Sequence, residues 1–411
     1  HRPRPRADQG LAPALHQLRP VFAGLQPAGR RPPAPHLPAP LDRRRGRVRA
    51  RRVVICGGGT GGHVFPALAV GRALRRVLPA ARLSFVGSRR KVEAEIMARA
   101  GEEFVPLRIA GLRGRGWRIV PSLLQVPPAL LEAFLLVKKL RPDLVVGAGS
   151  YSSGPVVLLA SLLGKPTLIL EQNVSPGFTN RLLLPFVRKA VASFERTLPD
   201  LRGKGVFLGN PVREEFAALK PRIPDGKLNL LVFGGSQGSR FLNEVMTRCL
   251  QRLAPRKNSL AIRHQTGEAD APRVREAYRL AGFARAEITP FITDMASALG
   301  GSDLVLCRAG ATTVAELIAG RRASILVPFG RAAGGHQMEN ARELERAGGA
   351  EVWSEAVLTP DRLAERILCY ADRPGLLRDM AGRLEALRTD GAAGRIADLC
   401  LKLMGIRAGE G

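Results

Sequence analysis

A short apolar run that ends in a glycine-rich loop and continues as a helical segment occurs twice in this chain. The first copy reads VVICGGGTGGHVFPALAV from residue 53, and the second reads LNLLVFGGSQGSRFLN from residue 228. Short runs rich in Val, Ile and Leu and bounded by glycine are typical of buried strands. Strand and helix segments alternate after each copy, which predicts βαβ units and one parallel sheet per copy. Pro66 suits the first turn of the helix that follows the first loop.

The length of the chain fits two such domains. It has 411 residues, 45% of them hydrophobic, and a single domain usually holds roughly 100–200 residues. We predict an α/β fold of two tandem Rossmann-like doubly wound domains that face a cleft, because ligands of such sheets bind beyond the carboxyl ends of the strands. The expected parts are a disordered, basic Pro/Arg-rich extension (1–52), a first domain (53–212), a second domain (213–385) and a C-terminal helix that can pack back on the first domain (386–411).

The net charge of +29 indicates an anionic partner, such as nucleic acid, acidic lipid headgroups or a phosphate-bearing substrate. General solubility in an arginine-rich protein is the alternative. Five dispersed cysteines fit free thiols in a reducing compartment. No segment has the roughly 20 apolar residues of a spanning helix or the apolar core of a secretory signal. We therefore expect a cytoplasmic protein, with room for contact with a membrane.

The first loop contains a match to the dinucleotide fingerprint at Gly57, Gly59 and Gly62. That fingerprint also needs an acidic residue about 20 residues later, to hold the ribose. No Asp or Glu lies between Gly62 and Glu93. The chain also lacks the G-x-x-x-x-G-K-[ST] pattern of a P-loop. A nicotinamide cofactor is therefore disfavoured, although a loop of this kind still suits a phosphate at a helix N-terminus.

Two phosphate loops that face one cleft suit a diphosphate donor and an anionic acceptor, as in two-domain glycosyltransferases. The chain has no D-x-D motif, which often holds a metal in single-domain glycosyltransferases. Helix dipoles and basic side chains would then have to meet the charge of the leaving group. We accordingly expect neither a metal nor another cofactor.

Eight segments, taken together and in order, resemble the MurG family of peptidoglycan N-acetylglucosaminyltransferases, over about residues 53–405. The resemblance implies a two-domain GT-B fold and inverting transfer of GlcNAc from UDP-GlcNAc to the 4-hydroxyl of MurNAc in lipid I, the undecaprenyl-pyrophosphate-linked pentapeptide, giving lipid II. The segments are GGGTGGHVFPALAV (57–70), IAGLRGRG (109–116), EQNVSPGFTNRLL (171–183), GNPVR (209–213), FGGSQGSRFLN (233–243), ITDM (292–295), CRAGATTVAEL (307–317) and HQMENA (336–341).

The resemblance also implies roles. The first domain would face the acceptor and the membrane, and the second would bind UDP-GlcNAc. The first glycine loop would lie against the phosphates of the donor or the acceptor. On the donor side, separate residues would contact the diphosphate, the uracil, the ribose and the hydroxyls of the sugar. In the order of the chain, the implied donor-side residues are Thr60, Gly61, Gly62, Asn173 (donor sugar), Arg213 and Ser236 (diphosphate), Ile292 (uracil), Ala311, Thr312, Thr313, Glu316 (ribose) and Gln337 (sugar).

Each role has a structural alternative. Thr60 and Ser236 could cap helices, and Asn173 could be a turn residue. Arg213 and Glu316 could be ordinary surface or helix-face charges. Gln337 could merely pack.

Two departures from the family pattern affect the reasoning. An Asp that often precedes the glutamine segment is absent, and Gly335 and His336 stand there, which weakens the assignment of the sugar contacts. In the third loop, GAGSYSSGP, Ser150 stands where the family commonly has glycine. If the backbone has a positive φ there, serine costs about 1–2 kcal/mol.

Inverting transfer needs a base that takes the proton from the attacking hydroxyl. His63 follows the first loop and is the leading candidate, because imidazole titrates near neutrality. Contact with the acceptor phosphate, or a structural role, remains open for His63. Glu171 is a weaker candidate, as base or as orienting group.

The acceptor carries a lipid tail, so the resemblance implies a peripheral protein on the cytoplasmic side of the bacterial inner membrane. Basic and apolar residues in 111–142 suit contact with anionic lipids: Arg115, Trp117, Arg118 and Leu123. The alternative is a core helix. The implied partners are UDP-GlcNAc, lipid I and anionic lipids, and other cell-wall enzymes are compatible.

Rival functions are a UDP-GlcNAc 2-epimerase, a different glycosyltransferase and a nucleic-acid-binding protein. The segment at 109–116 argues against the epimerase. A low aromatic content of 5% argues against nucleic acid as a partner.

Overall fold

Both glycine loops connect a central strand to a helix in a parallel sheet. The computed structural model of the protein describes residues 50–58, 61–108, 126–222, 224–330 and 335–406. Apart from residues 50–52, the disorder expected for 1–52 lies outside the described residues, and Arg52 itself already begins the first strand. The domain boundary near 212 stays a prediction.

The first sheet has seven parallel strands in the order β3-β2-β1-β4-β5-β6-β7. Strands β2 and β3 lie on one side of β1, and strands β4 to β7 lie on the other, so the strand order reverses between β1 and β4. Sheets of this kind bind ligands at that point. The strands are β1 (Arg52–Cys56), β2 (Arg82–Ser88), β3 (Phe104–Leu107), β4 (Leu144–Gly147), β5 (Thr167–Glu171), β6 (Lys189–Ala192) and β7 (Gly205–Phe207), and the helices are α1 (Gly61–Val77), α2 (Lys91–Arg99), α3 (Val126–Leu140), α4 (Ser153–Leu162) and α5 (Phe178–Leu183).

The second sheet has six parallel strands in the order β10-β9-β8-β11-β12-β13, with the corresponding reversal between β8 and β11. The strands are β8 (Leu228–Phe233), β9 (Leu260–Gln265), β10 (Glu287–Thr289), β11 (Leu304–Cys307), β12 (Ala323–Leu326) and β13 (Ala350–Val352). The later helices are α6 (Glu214–Ala217), α7 (Arg240–Leu253), α8 (Ala271–Leu280), α9 (Met295–Gly300), α10 (Ala311–Gly320), α11 (His336–Arg346), α12 (Pro360–Asp372), α13 (Pro374–Arg383) and α14 (Ala392–Leu403), with 3-10 turns at Glu195–Leu201, Ala254–Ser259 and Leu384–Leu387.

Each sheet is buried on both faces, as its continuous apolar strands require. In the first half, α1 and α2 cover one face, while α3 and α4 cover the other. The last helix, α14, packs against α1, and its Ile396, Cys400 and Leu401 lie in the first half's core. The last described helix therefore packs on the same half of the structure as the first described strand. The predicted doubly wound α/β class is confirmed.

Helix α1 begins earlier than its sequence suggested. We expected Pro66 to stand in the first helical turn, but the helix starts at Gly61, so Pro66 lies inside it. A proline inside a helix has no N–H to donate to the carbonyl four residues before it. In α1 that carbonyl belongs to Gly62, and its partner comes from elsewhere, as described below.

The five cysteines are free thiols. Burial raises the pKa of the Cys56 thiol far above its usual value, and it raises that of Cys249 to about 12. Cys56 and Cys249 are therefore inert core thiols at neutral pH.

Candidate active site

The first glycine loop lies at the carboxyl end of β1, beside the loop after β4. A Cβ atom at Gly57 would lie 2.9 Å from the His63 carbonyl oxygen, and one at Gly58 would lie 2.5 Å from a Glu93 carboxylate oxygen. These positions accept only glycine without displacement of their neighbours. Thr60 lies outside the described residues, and Gly61 is the first residue of α1.

His63 lies in the first turn of α1 and is partly buried. Its Nδ1 lies 3.0 Å from the Ala148 carbonyl oxygen. A carbonyl oxygen can only accept, so Nδ1 carries the hydrogen and the neutral ring has its lone pair on Nε2. This is the tautomer that a base acting through Nε2 requires.

The surroundings of His63 favour its neutral form. Burial lowers the pKa of its imidazole below the usual value, while the hydrogen bond to Ala148, the charges of Glu171 and Glu93 and the Gln172 side chain act in the opposite direction. Desolvation is the largest of these effects, so the ring is unprotonated at neutral pH.

The loop after β4 packs closely on this ring. Gly149 has φ +92°, and a Cβ atom there would lie only 2.6 Å from His63 Nδ1. Ser150 has φ +78°, so it occupies the left-handed region that we considered from the sequence. Its Oγ accepts from the Ser152 N–H at 3.2 Å, and its carbonyl accepts from the Ser153 hydroxyl at 2.8 Å. These hydrogen bonds compensate part of the backbone cost.

Glu171, at the end of β5, is fully engaged as a hydrogen-bond acceptor. One carboxylate oxygen accepts from the backbone and side-chain N–H groups of Asn173, at 2.9 and 3.1 Å. The other accepts from the Gly177 N–H at 2.9 Å and from Asn180 Nδ2 at 2.7 Å. The carboxylate is only 1% exposed. It therefore organises the loop that carries Asn173.

Asn173 is also held from the second half. Asn340, on α11 and fully buried, donates from Nδ2 to Asn173 Oδ1 at 3.1 Å. Its own Oδ1 accepts from the Val174 N–H at 3.0 Å. Asn340 is part of the HQMENA segment, but the sequence alone indicated no role for it. Its signal was weak, because a buried asparagine in a helix is recognised only when its partner loop is known.

The second glycine loop follows β8. Gly235 and Gly238 have φ of +98° and +74°, and a Cβ atom at Gly238 would lie 2.0 Å from the Thr266 carbonyl oxygen. Ser236 is exposed at the tip of this loop. The cap of α7 is instead Ser239, whose Oγ accepts from the Leu242 N–H at 3.4 Å. Because Ser239 and not Ser236 caps α7, the hydroxyl of Ser236 is available to a ligand.

Arg213 connects the two halves. Its guanidinium lies 4.7 Å from the ring centre of Phe65 on α1 and 4.6 Å from that of Phe216. Its Nη2 lies 3.4 Å from Glu316 Oε1 on α10. Burial raises the pKa of Glu316 to about 7, although Arg213 favours the charged form. Glu316 is a buried acid, not a solvated one on a helix face.

The N-termini of α1 and α10 meet directly. Thr312, in the first turn of α10, donates from Oγ1 to the Gly62 carbonyl at 3.0 Å. Gly62 is the residue whose helical partner Pro66 cannot supply. Ala311 and Thr313 are half-buried in the same turn. Two positive helix ends therefore lie together, a setting that favours an anion.

The remaining predicted residues lie around the same end of the second sheet. The Ile292 side chain is buried in the core, so only its backbone could reach a ligand. Gln337 Oε1 accepts from the Phe329 N–H at 2.9 Å. Gly335, with φ +67°, immediately precedes α11. The predicted membrane residues Arg115, Trp117, Arg118 and Leu123 lie outside the described residues.

The described residues form neither a candidate metal site nor a candidate membrane span. No three His, Cys, Asp or Glu side chains there are placed to hold a metal ion. None of the helices in that part of the chain is both long and apolar enough to cross a bilayer.

Family models and relatives agree on one assignment. The glycosyltransferase family 28 N-terminal domain matches residues 53–192, and the family 28 C-terminal domain matches residues 229–387. A relative from Anaeromyxobacter sp. (strain Fw109-5), named UDP-N-acetylglucosamine–N-acetylmuramyl-(pentapeptide) pyrophosphoryl-undecaprenol N-acetylglucosamine transferase, is 42% identical over 87% of this chain and 95% of its own. One of the same name from Myxococcus xanthus (strain DK1622) is 40% identical over 86% of this chain and 93% of its own.

Solved structures agree as well. Acinetobacter baumannii MurG is 31% identical, with a TM-score of 0.69 over 86% of this chain and 99% of that chain. A UDP-N-acetylglucosamine 2-epimerase has a TM-score of 0.65 over 88% of this chain and 98% of that chain, but at 13% identity this is a likeness of fold alone. The two-domain GT-B fold is confirmed, and the chain belongs to glycosyltransferase family 28 and, within it, to the MurG family of hexosyltransferases.

Proposed function

We propose that this protein transfers GlcNAc from UDP-GlcNAc to the 4-hydroxyl of MurNAc in lipid I, forming lipid II. The relatives' names supply the donor and the acceptor. The observation that carries the proposal is the contact between the N-termini of α1 and α10, made by Thr312 and Gly62. It brings the glycine loop of one half to the start of α10, where the nucleotide would bind.

The second half would hold the donor. Ser236 at the loop tip and Arg213 beside α10 would contact the diphosphate, since a guanidinium pairs well with phosphate oxygens. The Ile292 backbone would meet uracil, and Glu316 would accept from the ribose hydroxyls. The contact between Arg213 and Glu316 supports this arrangement, because the side chains proposed to bind the diphosphate and the ribose are neighbours.

The sugar would lie between the two halves. Asn173, fixed by Glu171 and Asn340, would meet the donor sugar, and Gln337 would meet its hydroxyls. The loop 57–62 and the start of α1 would then face the acceptor pyrophosphate.

His63 would act as the base. The acceptor oxygen forms its bond to C1 of GlcNAc while the bond from C1 to the UDP oxygen breaks, and UDP keeps that electron pair. The proton of the attacking hydroxyl passes to His63 Nε2, which carries the lone pair. Glu171 would not compete for this proton, since both its oxygens accept N–H groups.

The protein would bind the membrane peripherally, on the cytoplasmic side. Helices α3, α4 and α5 lie side by side on one face of the first sheet. Helices α3 and α5 and the segment just after α5 carry exposed apolar and basic side chains, which suits an anionic bilayer. We call this surface the apolar-basic face; its residues are Leu131, Leu135, Lys138, Lys139, Phe178, Arg181, Leu182 and Phe186.

The test of the reaction is transfer of radiolabelled GlcNAc from UDP-GlcNAc to a lipid I analogue. We expect a labelled lipid II analogue and UDP as products. Formation of UDP-ManNAc without transfer would contradict the proposal and indicate an epimerase.

A further inference from the structure

Gln172 lies immediately after β5, and its buried side-chain amide lies beside the imidazole of His63. The side chain is 1% exposed. Its Nε2 donates to the Ala148 carbonyl at 2.8 Å, the same oxygen that accepts from His63 Nδ1. The amide and the imidazole thus share one acceptor.

This shared acceptor fixes the orientation of the amide. A carbonyl oxygen cannot donate, so the NH₂ group of Gln172 must point to Ala148 and Oε1 must point the other way. Oε1 has no hydrogen-bond partner among the described residues. It lies 3.3 Å from the point that a Cβ atom at Gly149 would occupy, and His63 Nδ1 lies 2.6 Å from the same point. The two atoms therefore border one small space that glycine leaves open.

We infer that Gln172 is a positioning residue for His63: it holds the imidazole in its Nδ1–H tautomer and sets the affinity of the ring for a proton. The inference rests on the proposed role of His63 in the reaction. Gln172 anchors the carbonyl to which Nδ1 donates, and it presents a partial negative charge to the protonated ring that forms when Nε2 takes a proton. Because Gln172 is only 1% exposed, it would act through His63 and not by touching substrate.

Other charges around the ring do not replace this amide. The charges of Glu171 and Glu93 also act on His63. Both oxygens of Glu171 already accept from loop N–H groups, and Glu93 accepts from the Ser88 N–H at 2.8 Å. Of these three described neighbours, Gln172 is the one with a side-chain oxygen that accepts no hydrogen bond from a described residue.

The experiment is a pH titration of His63 by long-range ¹H–¹⁵N NMR, in the full chain. Its signals are identified by their loss in His63→Asn. Gln172→Glu keeps the shape and adds a negative charge, so the pKa of His63 should rise by about one unit or more. Gln172→Met removes both polar atoms, so the pKa should fall and the second tautomer should become visible.

Thr167→Val is the matched control. Thr167 is buried on the same strand, β5, at its other end, where its hydroxyl lies 2.8 Å from that of Ser161. This variant loses a buried hydrogen bond but should leave the titration of His63 unchanged. If the pKa and tautomer of His63 also stay unchanged in both folded Gln172 variants, the inference is wrong.

Kinetics separate this inference from the role of His63. If His63 is the base, the acid limb of the pH profile of kcat/KM moves with the NMR pKa. If the NMR pKa moves and the acid limb does not, Gln172 still positions His63, while the proposed base role is wrong.

Discussion

Thr312 donates to the Gly62 carbonyl at 3.0 Å, and Pro66, four residues after Gly62 in α1, has no N–H to donate to that carbonyl. The contact joins the first turns of two helices from different halves of the chain. The sequence suggested that Pro66 stands at a helix start. Because Pro66 lies inside α1 instead, the Gly62 carbonyl can accept a hydrogen bond from the other half of the chain.

Thr312→Val keeps the shape of the side chain but removes its donor. We expect kcat/KM for transfer to fall about tenfold, because a lost hydrogen bond costs roughly 1 kcal/mol and its partly buried acceptor loses the Thr312 donor. Thr312→Ser, which retains the hydroxyl, should keep most of the activity. Full activity in Thr312→Val together with a loss in Thr312→Ser, measured by steady-state kinetics, would show that the methyl group matters and the hydrogen bond does not.

Glu316 should make stability depend on pH. Its pKa is raised by burial from 4.5 to about 7, so the folded state holds this proton more tightly than the unfolded state. The contribution of Glu316 to stability is therefore fully present below pH 4.5 and is lost as the pH rises through 7. Urea unfolding at pH 5 and pH 8 measures it.

Glu316→Gln keeps the shape and cannot ionise. The parent loses the contribution of Glu316 as the pH rises, and the variant does not. The free energy of unfolding of the variant minus that of the parent should therefore be about 1–3 kcal/mol larger at pH 8 than at pH 5. A difference between parent and variant that is the same at both pH values would contradict the buried, protonated acid.

Ser150 should be a site where glycine stabilises the fold. Its φ of +78° costs a residue with a Cβ atom about 1–2 kcal/mol, and the hydrogen bond from the Ser152 N–H to its Oγ returns part of this. Ser150→Gly should raise the midpoint of thermal unfolding, whereas Ser150→Ala keeps the strain, loses the hydrogen bond and should lower it. The reverse order of the two midpoints would exclude backbone strain as the controlling effect.

Much of the fold was readable from the sequence because its strands are continuous apolar runs that end in glycine. The periodic pattern predicted β1 and β8 and the helices after their loops. Boundaries were less accurate, as α1 shows, since the helix continues through Pro66. Contacts between the halves could not be predicted, because Asn340 and Asn173 are far apart in sequence and no local pattern pairs them.

His63 gives the most direct test of mechanism. His63→Ala should lower kcat by about 10²–10⁴ if the ring is the base, with little change in the KM for the donor. The parent should keep its activity down to a pH below 6.5, because the pKa of His63 is lowered by burial and a base works only when unprotonated. A loss confined to the KM for lipid I would instead identify His63 as a contact to the acceptor.

The apolar-basic face gives a test of membrane binding. Phe178→Asp and Leu182→Asp replace exposed side chains on α5 that are 61% and 58% accessible, so the fold should tolerate them. Cosedimentation with anionic vesicles should fall severalfold, since an acid reverses both the apolar and the electrostatic attraction. Leu280→Asp is the matched control, on α8 in the second half, with a side chain that is 72% accessible. If the α5 variants bind vesicles as well as the Leu280 variant does, α5 is not a membrane contact. The predicted segment around Trp117 and Leu123 would then be tested by the same substitution to Asp.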